Sequence, residues 1–117
     1  MDDEEFIRLP TKKILERMGH EVELACHGVE AIQKYAHARD SGHPFDVVIL
    51  DLTIKGGMGG KQTIEELLKI NPNVKAIVAS GYSDDPVISN YKKYGFCASL
   101  PKPSSKDKMR EALAKLC

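Results

Sequence analysis

Five side chains in this 117-residue chain could work together if folding brings them to one place. Asp51 ends the run Phe45–Leu50, and Ser80 ends the run Val74–Ala79. Lys102 follows Ala98–Leu100 within Leu100-Pro101-Lys102-Pro103, and Asp2 and Asp3 precede the first helical pattern. Clustered carboxylates raise one another's pKa unless a cation neutralises them. A hard divalent ion such as Mg²⁺ or Mn²⁺ prefers such oxygen ligands and commonly takes one or two carboxylates plus phosphate oxygens. A carboxylate is also a nucleophile toward phosphorus and forms an acyl phosphate. Phosphoryl transfer needs mainly positioning and charge neutralisation, which a cation, a lysine and a hydroxyl around Asp51 would supply.

The elements that would position these residues alternate in type. Glu21–Cys26 alternates polar and apolar residues, a strand pattern, while Phe45–Leu50 and Val74–Ala79 read as strands buried on both faces. Ala98–Leu100 is a short fourth candidate. Helical spacing marks Thr11–Met18, Val29–Ala38, Lys61–Ile70 and Lys106–Leu116, with a weaker pattern over Asp85–Tyr94. Gly and Pro stand at the joints, and no internal repeat is present. Strands alternating with helices of about ten residues predict an α/β domain, a doubly wound parallel sheet with helices on both faces. In such sheets the site lies at the carboxyl ends of the strands, where Asp51, Ser80 and Lys102 fall.

Composition narrows the function. Seventeen basic and seventeen acidic residues give a formal charge of zero, without the basic footprint of a nucleic-acid binder. The apolar stretch around Val47–Leu50 is far shorter than the ~20 residues of a membrane span, and the acidic start is unlike a signal peptide. Cys26, Cys97 and Cys117 are odd in number and widely spaced, which fits reduced cytosolic thiols and small apolar fillers better than a disulfide framework or zinc site. His20, His27, His37 and His43 follow no metal spacing and read as surface residues.

Each reactive candidate has a plainer reading. Asp51 could cap a turn, Asp2 and Asp3 could answer a helix dipole, Ser80-Gly81 is ordinary turn chemistry, and Lys102 could be a solvated loop lysine. The run Gly56–Gly60 has no Walker pattern and reads as a flexible joint before the helix at Lys61. The coincidence of all the candidates at strand ends favours the chemical reading.

Together, Asp2-Asp3-Glu4, Val47-Val48-Ile49-Leu50-Asp51, Ala79-Ser80-Gly81 and Lys102-Pro103 resemble the receiver domain of two-component signalling, over nearly the whole chain and in the right order. Asp51–Gly60 and Ser80-Gly81-Tyr82-Ser83 are most similar to receivers attached to hybrid sensor histidine kinases. The resemblance implies a single flavodoxin-like receiver domain over residues 1–117, a cytoplasmic phosphoacceptor and not an enzyme in the usual sense. Asp51 would accept a phosphoryl group from a histidine kinase, in the same polypeptide or another, or from a phosphotransfer protein. Asp3 would ligate Mg²⁺ directly, with Asp2 beside it, Asp51 and the backbone carbonyl of Thr53 completing the protein ligands. Ser80 and Lys102 would bind phosphoryl oxygens, Thr53 and Tyr82 would tune phosphoryl lifetime, and Lys102–Pro103 would be cis.

The chain departs from the family pattern. Only Met1 precedes Asp2, where the family has an apolar first strand at the centre of the sheet. Its absence predicts one of three outcomes: direct closure of Glu21–Cys26 onto Phe45–Leu50, a homodimer through the exposed edges, or a strand supplied upstream. Pro10 predicts a first helix beginning near that residue, with Phe6–Leu9 irregular. Lys55 and Ser99 replace a usual proline and a switch aromatic, and Ser104-Ser105 would cap the last helix. The alternative is a degenerate receiver that binds proteins or dimerises without phosphorylation. A haloacid dehalogenase-type hydrolase would need a second acid where Thr53 stands, and the acidic start argues against a flavodoxin phosphate loop. With no helix-turn-helix pattern after the last helix, direct DNA binding is not expected.

Overall fold

Short β-branched runs supply the sheet. In the computed structural model, which describes residues 1–81, 84–102 and 105–115, Val48–Asp51 (β1), Ala76–Ser80 (β2) and Ala98–Pro101 (β3) form a parallel sheet in the order β1-β2-β3. Asp51 pairs with Ala79 across β1 and β2, and Ser80 pairs with Pro101 across β2 and β3. This register brings all three strands to their carboxyl ends together. Every residue of β2 is buried, as a central parallel strand requires.

Helices cover both faces. They are α1 (Glu5–Arg17), α2 (Gly28–Asp40), α3 (Gly60–Ile70), α4 (Pro86–Ser89) and α5 (Lys106–Ala114), with a 3₁₀ segment at Tyr91–Tyr94. The pleat sends Leu50 and Val78 into one apolar cluster with Tyr35, Ile64 and Leu67 from α2 and α3. It sends Ile77, Ala79 and Leu100 into another with Leu15, Met109 and Ala112 from α1 and α5. Among the described residues no helix is long and apolar enough to cross a membrane.

Several expectations change. Glu21–Cys26 is not a strand, although its alternation survives in its burial: Val22 and Leu24 are half-buried and Ala25 buried, while Glu21, Glu23 and Cys26 are exposed. A strand needs a neighbour at hydrogen-bonding distance. This segment does not close onto β1, and the backbone that reaches it is that of Met1-Asp2. The Met1 ammonium donates to Ile49 O at 2.7 Å, Asp51 N–H donates to Met1 O at 3.0 Å, and Asp2 N–H donates to Ala25 O at 3.0 Å.

The first helix begins at Glu5 and runs through Pro10, so Phe6–Leu9 is helical and not irregular. Asp2 Oδ1 accepts the Glu4 N–H at 3.0 Å, Glu4 O accepts the Ile7 and Arg8 N–H groups, and Thr11 Oγ1 donates to Ile7 O at 2.7 Å. These bonds start the helix ahead of the residue that interrupts its ladder. The expected helix over Asp85–Tyr94 splits into α4 and the 3₁₀ segment.

His27 is half-buried and caps α2, its Nδ1 accepting the Glu30 N–H at 3.2 Å, so it is no mere surface residue. Ser105 caps α5 as expected, accepting from Lys108 N–H at 3.2 Å. Cys26 is exposed and fills no core position, while Cys97 is half-buried. Readings placed on Tyr82, Ser83, Pro103, Ser104, Leu116 and Cys117, including the cis peptide bond, lie outside the described residues.

Candidate functional site

The carboxyl ends of β1 and β2 carry the polar residues that the packed sheet does not expel. Asp51 is 3% exposed, Ser80 4% and Asp2 8%, values reached by charged or hydroxyl groups only when they are partnered. Asp51 is held by the ladder of β1 and by the Met1 carbonyl at its own N–H. Its Oδ1 accepts the Thr53 N–H at 3.3 Å. Ser80 ends β2, and its carbonyl accepts the Lys102 N–H at 3.0 Å, which ties the turn after β3 to the same edge.

Lys102 is the centre of the arrangement. Its Nζ lies 3.0 Å from Asp51 Oδ2, 3.0 Å from Asp2 Oδ2 and 3.7 Å from Glu4 Oε1. Burial works to lower the Lys102 pKa, but the bonds to Asp51 and Asp2 outweigh it and hold the ammonium above its ordinary value. For Asp51 the balance falls the other way. Burial raises its pKa and nearby Asp2 raises it further, against the opposing Lys102 bond. The ionised Asp51 carboxylate is therefore short of positive charge.

Asp3 turns toward the loop after β1, where its Oδ2 accepts the Lys55 N–H at 3.2 Å. Oxygen atoms of Asp2, Asp3 and Glu4 all lie within 4.8 Å of one another. The fold thus gathers Asp2, Asp51, Ser80 and Lys102 at one sheet edge, with Asp3 beside them. Thr53 is exposed on the loop two residues past Asp51.

Three contributors had no role assigned from the sequence. Glu4 faces Lys102, a position its place in the acidic run could have suggested. Arg8 Nη1 donates to Asp2 O at 2.9 Å, fixing the backbone of the acidic pair, and it lies six residues away on α1. Met1 aligns Asp2 through main-chain bonds that no residue type announces. Gly59 and Gly60 serve close approach, not flexibility. A Cβ at Gly59 would stand 2.4 Å from Leu52 O, and one at Gly60 would stand 2.9 Å from Asp51 O. The start of α3 can lie against the Asp51–Leu52 backbone only because both side chains are absent.

The chain is similar to known proteins over nearly its whole length. The chemotaxis protein CheY of Thermotoga maritima is 33% identical over 117 residues, covering 99% of this chain and 92% of that protein. The sensor kinase CckA of Brucella abortus is 33% identical over 108 residues, 90% of this chain but 11% of that protein. Sporulation initiation phosphotransferase F of Bacillus subtilis is 26% identical, covering 98% and 88%. Among solved structures, a response regulator receiver domain protein from Clostridium thermocellum superposes with a TM-score of 0.86 at 28% identity, covering 98% of this chain and 88% of that one. The response regulator receiver domain family matches residues 1–114. With a flavodoxin-like sheet and an acidic edge closed by a lysine, the chain belongs to the response regulator receiver domain family.

Proposed function

We propose that Asp51 is the phosphoacceptor of this receiver, taking a phosphoryl group from a phosphohistidine donor in a cytoplasmic histidine kinase or phosphotransfer protein. The observation that carries the reading is the buried Asp51 carboxylate paired at 3.0 Å with Lys102 at the end of β1. In the transfer, an Asp51 carboxylate oxygen forms the new bond to phosphorus as the P–N bond of the donor breaks. The donor imidazole nitrogen keeps the electron pair and takes a proton. Lys102 pairs with the phosphoryl oxygens once the carboxylate charge has moved outward, and the Ser80 hydroxyl donates to one of them.

The donor set suits a hard divalent cation, being all oxygen: Asp2, Asp3, Asp51 and the backbone carbonyl of Thr53. When bound, Mg²⁺ or Mn²⁺ supplies the positive charge that the buried Asp51 carboxylate lacks and that an incoming phosphoryl group also needs. Asp2 and Asp3 are held for this task by Arg8, Met1 and the Lys55 N–H. Phosphorylation would then change which partners the domain binds.

One observation favours a second reading, a degenerate receiver that binds proteins without turning over phosphate. The Lys102 ammonium already bridges Asp2 and Asp51 and neutralises part of the site. The test is intact mass after incubation with Mg²⁺ and acetyl phosphate, with Asp51→Asn and EDTA as controls. The phosphoacceptor reading expects the mass of one phosphoryl group, lost in both controls. A folded protein that gains nothing belongs to the second reading.

A further inference from the structure

Each carboxylate of the acidic edge that suits a cation has one oxygen tied by a backbone N–H. Glu4 N–H donates to Asp2 Oδ1 at 3.0 Å, Thr53 N–H to Asp51 Oδ1 at 3.3 Å, and Lys55 N–H to Asp3 Oδ2 at 3.2 Å. The other oxygens of Asp2 and Asp51 converge, since both Oδ2 atoms lie 3.0 Å from the Lys102 Nζ. Asp3 keeps Oδ1 as its remaining oxygen.

The three ties differ in origin. Those of Asp2 and Asp51 come from the residue two positions on, a local turn that an aspartate makes with its own backbone. The tie of Asp3 joins residues 52 positions apart and needs an N–H at residue 55. Lys55 is exposed and stands with Gly56 at the centre of a turn. Gly56 has a φ of 70°, and no described non-glycine residue has a positive φ, so the turn has the type II pattern. The second residue of such a turn is commonly proline, which has no N–H. The backbone conformation therefore does not oblige residue 55 to be a donor.

An N–H on one oxygen fixes the rotation of a carboxylate and leaves the other oxygen to an ion. Three carboxylates held this way offer one oxygen each. Mg²⁺ suits that supply, because it takes one or two carboxylates and keeps several waters. Ca²⁺ gathers about six to eight oxygens, and a carboxylate often grips it through both of its own.

We propose that the Lys55 backbone N–H sets the ion selectivity of this edge, holding Asp3 to a single ligating oxygen and so favouring Mg²⁺ over Ca²⁺. This selectivity presupposes Asp2, Asp3 and Asp51 as cation ligands, as proposed above, and is separate from the phosphoryl step. Lys55 is a positioning residue here through its main chain, and its ammonium has no part.

The test is calorimetric titration of the 117-residue protein with Mg²⁺ and with Ca²⁺, without phosphodonor. Wild type should bind Mg²⁺ more tightly. The ratio of the Ca²⁺ to the Mg²⁺ dissociation constant should fall about tenfold in Lys55→Pro and stay within about twofold of wild type in Lys55→Ala, which loses the same ammonium but keeps the N–H. A measurement on wild type bypasses any folding defect of the proline variant. Exchange of its Lys55 amide should slow by about threefold or more with Mg²⁺ and quicken with Ca²⁺, which has to break the tie to gain a second oxygen. An unchanged ratio in Lys55→Pro overturns the inference and leaves the cation reading intact. So does an equal fall in Lys55→Ala, since the ammonium would then be the determinant. Tighter binding of Ca²⁺ by wild type, or a Lys55 amide protected equally by both ions, also overturns it. Binding of neither ion by folded wild type overturns the cation reading and the inference with it.

Discussion

The Lys102 ammonium stands 3.0 Å from Asp51 Oδ2, and the same nitrogen reaches Asp2 at an equal distance. One cation thus serves two carboxylates that burial would otherwise set against each other. Both contacts are nearly shielded from water, with Lys102 12% exposed, Asp51 4% and Asp2 11% in their side chains. Screening by solvent is therefore weak, and removing the cation leaves buried like charges. Glu4, 44% exposed, adds little.

Lys102→Met should accordingly lower stability by about 3 kcal/mol at neutral pH in EDTA. Urea unfolding checks it, and added Mg²⁺ should restore part of the loss by supplying positive charge to the same carboxylates. An unchanged urea midpoint would mean that the bridge contributes nothing to the fold.

Asp51→Asn should shift the urea midpoint upward in EDTA at pH 7. The Asp51 carboxyl has a raised pKa in the folded protein, chiefly through burial, so its ionised form burdens the native state. For a raised acid, the unfolded chain loses its proton first, and stability falls as pH rises through the folded value. The advantage of the Asn variant should therefore shrink as the pH is lowered toward 4. A variant less stable than wild type at pH 7 would contradict the assignment of burial as the dominant effect.

The Met1 ammonium makes a second pH dependence. Desolvation by burial beside β1 lowers its pKa from 8.0 to about 6, although Asp2 and Asp51 pull the other way. Below pH 8 the unfolded chain takes up this proton before the native one does. Stability should therefore fall by about 2–3 kcal/mol between pH 8 and pH 6 and then level off. N-terminal acetylation keeps an N–H for Ile49 O and removes the charge, so the acetylated protein should lose this slope. Paired urea titrations of the two forms decide it.

Two glycines near the site should respond differently to a methyl group. Gly59→Ala drives a Cβ to 2.4 Å from the Leu52 carbonyl and should destabilise by about 2 kcal/mol or more. Among the described residues Gly81→Ala meets nothing within 4 Å, and it should change stability by less than about 0.5 kcal/mol. Thermal unfolding of both variants separates steric need from flexibility in the loops around Asp51.

Much of this protein is legible in its sequence, for local reasons. Apolar β-branched runs followed by Asp51, Ser80 and the Lys102 turn mark strand ends, because a buried strand cannot carry such residues in its middle. Parallel connectivity then requires those ends to meet at one edge. Helices α2, α3 and α5 follow from apolar spacing, although α2 extends from Gly28 and not Val29. The cap at Ser105 was equally plain.

The tertiary structure decided what depends on neighbours distant in the chain. The alternation of Glu21–Cys26 is a genuine strand pattern, yet strand formation is a pairing, and among the described residues the backbone bond that reaches this segment from the sheet side is Asp2 N–H to Ala25 O. The start of α1 ahead of Pro10 rests on bonds from Asp2, Glu4 and Arg8 that overrule a local penalty. The place of Lys102 between Asp2 and Asp51 joins residues 100 and 51 positions apart, a contact that spacing along the chain cannot express. Residue types and their order determined the chemistry available to this chain. Packing decided which charges share one cation.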